Sequence, residues 1–126
     1  MYQFEKLDIW QQSLTVVKVA YKITKEFPKE EQYSLSNQIQ RAAVSISLNI
    51  AEGRGSESQK EFIKYLNISL KSLYEVVAGF KIAIELGYLK SENKMYIKFS
   101  EDIDSLGARI RSLIKKVDKD KNAKSQ

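Results

Sequence analysis

The chain has 126 residues, of which 43% are apolar, and it contains one proline, five glycines and neither cysteine nor histidine. This length suits a single domain, and so few turn-forming residues favour long helices over a β-sandwich or barrel. Without thiols or imidazoles, disulfides, the usual zinc and di-iron sites, and Ser–His or Cys–His catalysis are all excluded. We therefore predict no metal, no cofactor and no catalytic residue.

The first residues, Met-Tyr-Gln-Phe-Glu-Lys, lack the basic and then apolar pattern of a secretory signal. No apolar run approaches the length of about 18 residues that a membrane-spanning helix needs. From these two observations we expect a soluble, cytoplasmic protein with no membrane partner.

The net charge of +5 is concentrated toward the C-terminus. Residues 108–126 hold seven basic and two acidic side chains, so this segment alone carries an excess equal to that of the whole chain. Such a cluster attracts polyanions and makes nucleic-acid binding weaken with salt. It also suits the last turns of a helix, where cations complement the dipole, and both interpretations remain open. The candidate nucleic-acid ligands in this segment are Arg109, Arg111, Lys115 and Lys116.

The first predicted helix begins at Asp8, whose carboxylate is placed to cap the first turn. It ends before Phe27-Pro28, because the residue before a proline is pushed out of the helical conformation. Mostly apolar side chains recur every three or four positions in between, which predicts one buried stripe. The stripe consists of Trp10, Leu14, Val17, Tyr21 and Thr24.

The second predicted helix runs from Ser34, its cap, to about Glu52, and it is apolar on two sides. At about 100° per residue, one arc contains most of the apolar side chains, while a second and smaller strip lies elsewhere on the helix. The arc consists of Leu35, Ile39, Ala42, Ala43, Ile46 and Ile50, and the strip consists of Val44, Leu48 and Ala51. A small monomeric bundle needs one apolar face per helix, so the strip indicates coverage by another copy of the chain. The fourth helix or residues 2–7 are the alternatives within one chain.

A stripe of polar side chains accompanies these two apolar faces. It consists of Gln38, Arg41, Ser45, Asn49 and Glu52. Spacings of three and four residues predict side-chain hydrogen bonds along the helix, from Arg41 to Ser45 and from Ser45 to Asn49. We interpret Glu52 as part of an ion pair or a cap, since nothing in the sequence indicates a general base in a cleft.

The segment Gly53-Arg54-Gly55 is predicted to close the second helix in a tight turn, with glycine in the left-handed conformation. A phosphate-binding loop is the alternative, but no strand precedes the segment and no Gly-Lys-Ser/Thr follows it. The third helix begins with a capping box, Ser58 to Glu61.

Four lysines fall close to one line on the remaining face of the third helix: Lys60, Lys64, Lys71 and Lys81. Such a line can be a track for a phosphate backbone or simply a solvated face. We take Lys60 and Lys64, together with Arg54, as candidate nucleic-acid ligands.

Gly87 is predicted to end the third helix and Ser91 to start the fourth. The fourth helix has an unbroken four-three apolar repeat, which predicts an inward face, with a coiled coil to another protein as the alternative. Its members are Phe99, Ile103, Leu106, Ile110, Leu113 and Val117. We assign residues 1–118 to the bundle and residues 119–126 to a disordered basic tail. Four amphipathic helices with short connections predict an all-α, antiparallel up-down-up-down four-helix bundle.

Several short motifs, spread over most of the chain, resemble those of a bacterial family. They are Phe4, Leu7 and Trp10; Phe27-Pro28; Glu31, Tyr33 and Leu35; Gln38, Arg41-Ala42, Ser45-Ile46 and Asn49 to Gly53; and Leu86 to Tyr88. By these motifs the chain resembles the four-helix-bundle proteins encoded in intervening sequences of 23S ribosomal RNA genes. The resemblance implies a homo-oligomer, often a pentamer. The fold also resembles the accessory protein of diversity-generating retroelements, a basic pentameric barrel that works with a reverse transcriptase and nucleic acid.

Two functional hypotheses follow. The first is a non-enzymatic, oligomeric module that binds RNA or other nucleic acid with low specificity, because the chain is basic but carries no RNA-recognition signature. The second is a protein-interaction scaffold that assembles through Val44, Leu48 and Ala51 and binds no nucleic acid.

Overall fold

Four α-helices and two short 3-10 turns form the protein. The computed structural model describes the backbone of residues 1–125 and the side chains of residues 1–121. The 3-10 turns are Gln3–Lys6 and Lys29–Glu31, and the helices are α1 (Asp8–Lys25), α2 (Leu35–Arg54), α3 (Gln59–Glu85) and α4 (Lys94–Ser125). Each helix packs against its neighbours in the chain, and α1 also packs against α4. The predicted all-α, up-down four-helix bundle is therefore confirmed.

Branched aliphatic side chains and three phenylalanines fill the core. The ring of Phe80 meets the ring of Phe99 edge to face, with centroids 5.0 Å apart, and meets Phe27 in the same way at 6.3 Å. Edge-to-face geometry is the arrangement that aromatic quadrupoles favour. The apolar repeat of α4 points inward as predicted, with Phe99, Ile103 and four further members buried or half-buried.

The inward face of α1 differs from the prediction. Of the predicted stripe only Thr24 is buried, whereas Tyr21 is 43% exposed and the other three members are half-buried. The buried side chains of α1 are Ile9, Ser13, Val16, Ala20, Ile23 and Thr24. Small residues of α1 face α2, and the hydroxyls of Ser13 and Ser47 lie 2.8 Å apart. A pattern built on large residues consequently misplaces this face by about one position.

Two glycines allow α2 and α3 to pack closely. A Cβ atom on Gly53 would lie 2.9 Å from Cβ of Tyr65, and one on Gly79 would lie 2.6 Å from Cγ1 of Ile39. The left-handed turn predicted at Gly53 to Gly55 is wrong, because Gly53 lies inside α2 and neither glycine has a positive φ. Gly53 is needed for space between helices and not for its conformational freedom.

Other helix ends follow local signals to differing degrees. Ser58 caps α3, its Oγ accepting from the backbone N–H of Glu61 at 3.1 Å. Gly87, with φ of 81°, ends that helix as predicted, and Tyr88 N–H donates to the carbonyl of Ala83 at 2.9 Å in a Schellman arrangement.

Three predicted helix boundaries differ from those in the structure. Asp8 is the first residue of α1 and not its cap, since Leu7 takes the cap position. The cap of α4 is Asn93 in place of Ser91, and its Oδ1 accepts from the N–H of Tyr96 at 3.0 Å. The sequence assigns residues 119–126 to a tail, whereas α4 continues to Ser125; Gln126 lies outside the described residues.

Candidate functional site

The chain itself covers only part of the second apolar strip of α2. Leu48 is 62% exposed, and Val44 and Ala51 are half-buried. Neither α4 nor the N-terminal turn at Gln3–Lys6 closes over Leu48, although this turn packs on α2. The exposed leucine is therefore an apolar surface without a partner among the described residues of its own chain.

A row of half-buried and exposed side chains on α1 continues this surface. Ser13 bonds to Ser47, and Gln40 Nε2 donates to Oγ1 of Thr24 at 2.9 Å, which identifies the sides of α1 and α2 that face each other. On each helix, the side chains that follow these contacts toward the outside of the bundle line one groove between α1 and α2. We call this surface the α1–α2 seam; it consists of Trp10, Leu14, Val17, Tyr21, Val44, Leu48 and Ala51. The sequence pattern does not reveal the contribution of α1, because it predicts that stripe as core.

The polar stripe of α2 serves mainly to join α2 to α3. Ser45 Oγ pairs with Ser72 Oγ at 2.8 Å, Asn49 Nδ2 donates to Ser45 Oγ at 3.0 Å, and Gln38 Nε2 lies 3.4 Å from Oε2 of Glu75. The predicted bond from Arg41 to Ser45 does not form. Arg41 and Glu52 are exposed, and within the described side chains neither makes an ion pair or a side-chain hydrogen bond.

Basic side chains at the junction of α2 and α3 are balanced by acids. Arg54, Lys60 and Lys64 are all exposed. Residues 52–64 also contain Glu52, Glu57 and Glu61, so this part of the surface has no net charge. The ammonium of Lys64 lies 5.7 Å from the ring centroid of its neighbour Tyr65. These three cations alone therefore give this part of the surface no positive potential, and they contribute to one only together with other cations.

Two of the predicted ligands on α4 already have partners. Arg109 Nη1 donates to Gln12 Oε1 at 2.6 Å and its Nη2 lies 3.7 Å from Oδ2 of Asp8. Arg111 Nη1 donates to the hydroxyl of Tyr74 at 3.0 Å. These contacts join α4 to α1 and to α3, so both arginines have structural roles that the sequence did not reveal.

Lys115 and Lys116 are exposed on the C-terminal half of α4. Around the axis of α4, Arg109 and Lys116 point in directions about 20° apart, on the side next to α1. Arg111 and Lys115 point in directions about 40° apart, on the side next to α3. These four basic side chains therefore lie on two flanks of α4 instead of forming one line.

The antiparallel packing brings these groups to one end of the bundle. Arg111 lies beside Tyr74, and from there α4 continues for about 21 Å while α3 extends back about 22 Å to Gln59. The end of α4 thus lies level with the start of α3 and the end of α2. We call this region the basic end; its seven cations are Arg54, Lys60, Lys64, Lys115, Lys116, Lys119 and Lys121. It also contains five acids, Glu52, Glu57, Glu61, Asp118 and Asp120, so its charge is 7 − 5 = +2.

The opposite end of the bundle is fastened by Tyr88. Its hydroxyl donates to Oε2 of Glu31 at 2.7 Å, joining the connection after α3 to the one before α2. This hydrogen bond, together with desolvation and the negative charges of Glu31 and Glu30, raises the pKa of Tyr88 above its ordinary value.

None of the described helices combines the length and the apolar composition that a membrane-spanning segment requires. The same part of the chain contains no group of three or more acidic side chains arranged to hold a metal ion.

The fold and these surfaces define a small helical bundle with a partly exposed apolar seam and a basic end. Residues 5–112 match the family of 23S rRNA-intervening sequence proteins, and the chain belongs to this family. A search among curated proteins gave no match. A solved structure from Bacteroides thetaiotaomicron, described as a protein of unknown function from the S23 ribosomal protein family, is similar at 28% identity and a TM-score of 0.76. The alignment covers 85% of this chain and 95% of that one.

Proposed function

We propose that the protein is a non-enzymatic, oligomeric module that holds RNA through its phosphate backbone with low sequence specificity. The observation that carries the proposal is the excess of cations at the basic end, where seven basic side chains accompany five acidic ones. Backbone recognition needs cations and little else, and contacts between cations and phosphates supply nearly all the affinity of non-specific nucleic-acid binding. The family's association with ribosomal RNA genes is consistent with an RNA ligand.

Self-association through the α1–α2 seam supports this function. Leu48 leaves most of its surface in water, and a contact with another copy would bury it at a gain of about 25 cal/mol per Å². In a closed ring the basic ends of all copies would repeat around one axis, so weak phosphate contacts would add through multivalency. A ring of five copies is the number that the family resemblance implies.

Two pairs of variants test the RNA proposal. Binding of a fluorescein-labelled single-stranded RNA is measured by anisotropy across a range of salt concentrations. Each phosphate contact to a single strand contributes about 0.7 to the slope of log affinity against log salt. Lys115→Gln with Lys116→Gln should therefore lower the slope by about 1.4, whereas the control pair at the opposite end, Lys90→Gln with Lys94→Gln, should leave it unchanged. Absence of binding at about 20 mM salt, or equal slopes for both pairs, would refute the proposal.

A second candidate function is a protein scaffold without nucleic-acid binding, and the exposed seam favours it. Light scattering on Leu48→Glu tests the seam, because a charged side chain there is incompatible with burial. Ile82→Glu is the matched control, since Ile82 is 51% exposed on the outer face of α3. We expect only Leu48→Glu to reduce the assembly to monomers. A monomeric native protein at micromolar concentration would remove self-association from both proposals.

A further inference from the structure

A polar groove lies on the outer surface of α2 and α3, near the start of α2. It has a volume of about 430 Å³ and is lined by Tyr33, Ser34, Asn37, Gln38, Arg41 and Glu75. The groove belongs neither to the α1–α2 seam nor to the basic end as defined above.

Tyr33 is the most unusual member of the groove. Its side chain is 94% exposed, more than any other large apolar or aromatic side chain among the described residues. The side chain makes no hydrogen bond or ring contact within the described part of the chain. The structure thus holds a phenol ring in water, with both faces available for stacking.

The other lining groups are hydrogen-bonding groups with spare capacity. Arg41 has no ion pair among the described side chains, and the side chains of Ser34 and Asn37 make no hydrogen bond there either. Gln38 and Glu75 share one long contact of 3.4 Å, which leaves the amide oxygen and one carboxylate oxygen unused. One cation and one anion line the groove, so it favours a ligand that presents both donors and acceptors over a simple anion.

We propose that this groove binds one unpaired nucleobase of a single-stranded RNA, a site that depends on the proposed RNA-binding function and gives it a substrate class. The base stacks on Tyr33, its edge meets Asn37, Gln38 and Glu75, and the adjoining phosphate meets Arg41. Stacking on an aromatic ring tolerates every base, which agrees with low sequence specificity. A paired base offers neither a free face nor a free edge, so the groove selects single strands over duplexes.

The position of the groove also sets a length requirement. The groove and the basic end lie at opposite ends of α2, whose 20 residues span about 30 Å. A strand that keeps the stacked rise of about 3.4 Å per nucleotide reaches both regions on one protomer with about nine nucleotides. Stacked strands shorter than this should lose the contribution of one of the two regions.

The test compares a 12-nucleotide single-stranded RNA with a 12-base-pair duplex for the native protein and for Tyr33→Ala. We expect Tyr33→Ala to weaken single-strand binding by about 5- to 150-fold, the range for losing one base stack, while duplex binding stays within twofold. Tyr33→Phe should retain native affinity because the ring remains. Tyr2→Ala is the control, since Tyr2 is 74% exposed but its ring is already stacked on Phe4.

Three results would overturn the inference, and they are distinguishable. If Tyr33→Ala binds the single strand as tightly as the native protein, the groove is not a base site although the protein binds RNA. If Tyr33→Ala breaks the assembly in light scattering, the groove is a contact between subunits. If the native protein binds neither RNA at about 20 mM salt, the proposed function itself fails. Tyr33 is exposed, so loss of folding does not confuse these outcomes.

Discussion

Replacing Gly79 by alanine should destabilise the bundle, although alanine is the better helix former. The added Cβ would lie 2.6 Å from Cγ1 and 3.1 Å from Cδ1 of Ile39, whose side chain is 1% exposed and cannot turn away into solvent. Overpacking of this kind costs about 1 to 3 kcal/mol, and the gain in helix propensity returns about 1 kcal/mol. The net loss is about 1 kcal/mol, or about 3 to 5 °C in Tm for a domain of this size.

Gly107 provides the matched control for this prediction. A Cβ there would lie 3.5 Å from Nη1 of Arg111 and 3.6 Å from Cδ1 of Leu73, which are ordinary van der Waals distances. Gly107→Ala keeps the propensity gain without the clash, and it should stabilise the protein by about 0.5 to 1 kcal/mol. The two variants should thus differ by about 2 kcal/mol in the free energy of unfolding, with opposite signs.

The assay is urea unfolding followed by circular dichroism at one fixed protein concentration, because self-association would make stability depend on concentration. A double-mutant cycle with Ile39→Ala separates the clash from other effects, since that change removes both contacting atoms. In the Ile39→Ala background, Gly79→Ala should become stabilising by about 1 kcal/mol. If Gly79→Ala is as stable as Gly107→Ala in the native background, the close approach of α2 and α3 is refuted.

Two further predictions concern the end of the bundle near Tyr88. Gly87→Ala should lower the free energy of unfolding by about 1 kcal/mol, because φ of 81° disfavours a side chain although no atom crowds the position. Gly87→Asn should lower it by less, since asparagine tolerates this conformation better. Equal stability of the native protein and both variants would contradict the Schellman end. The raised pKa of Tyr88 means that its bond to Glu31 contributes fully below the ordinary tyrosine pKa of about 10 and is lost as pH rises through the higher folded value. The stability gap between the native protein and Tyr88→Phe, measured by urea unfolding, should therefore be constant up to about pH 9 and narrow above about pH 10; a gap that persists at higher pH would refute the assigned hydrogen bond.

Local signals made part of the fold predictable. The cap at Ser58 and the end at Gly87 depend on side chains and conformations within three residues of the position, so the sequence carries them directly. The start of α4 could not be predicted in this way, because Ser91 and Asn93 are both acceptable caps and the structure uses Asn93.

The exposure of Leu48 was also predictable from periodicity, since one strip of α2 exceeded what a single apolar face requires. The extension of that surface onto α1 was not predictable. Trp10 and Leu14 are large and apolar, and the pattern gives no reason to keep them at the rim while Ser13 and Ala20 enter the core. Small residues are chosen at that position by the distance between α1 and α2, which is a property of the assembled bundle.

By itself the sequence determined the helices, the inward faces of α2 and α4, and the position of the charge excess along the chain. These features depend on spacings within one helix, where the residue number fixes the direction of each side chain. The tertiary structure decided which charges are engaged and where they meet. The contact between Arg109 and Gln12 joins residues 97 positions apart, and the convergence of the cations at one end follows from antiparallel packing. Such proximity across the bundle is absent from any local pattern, because it is created only when the core closes.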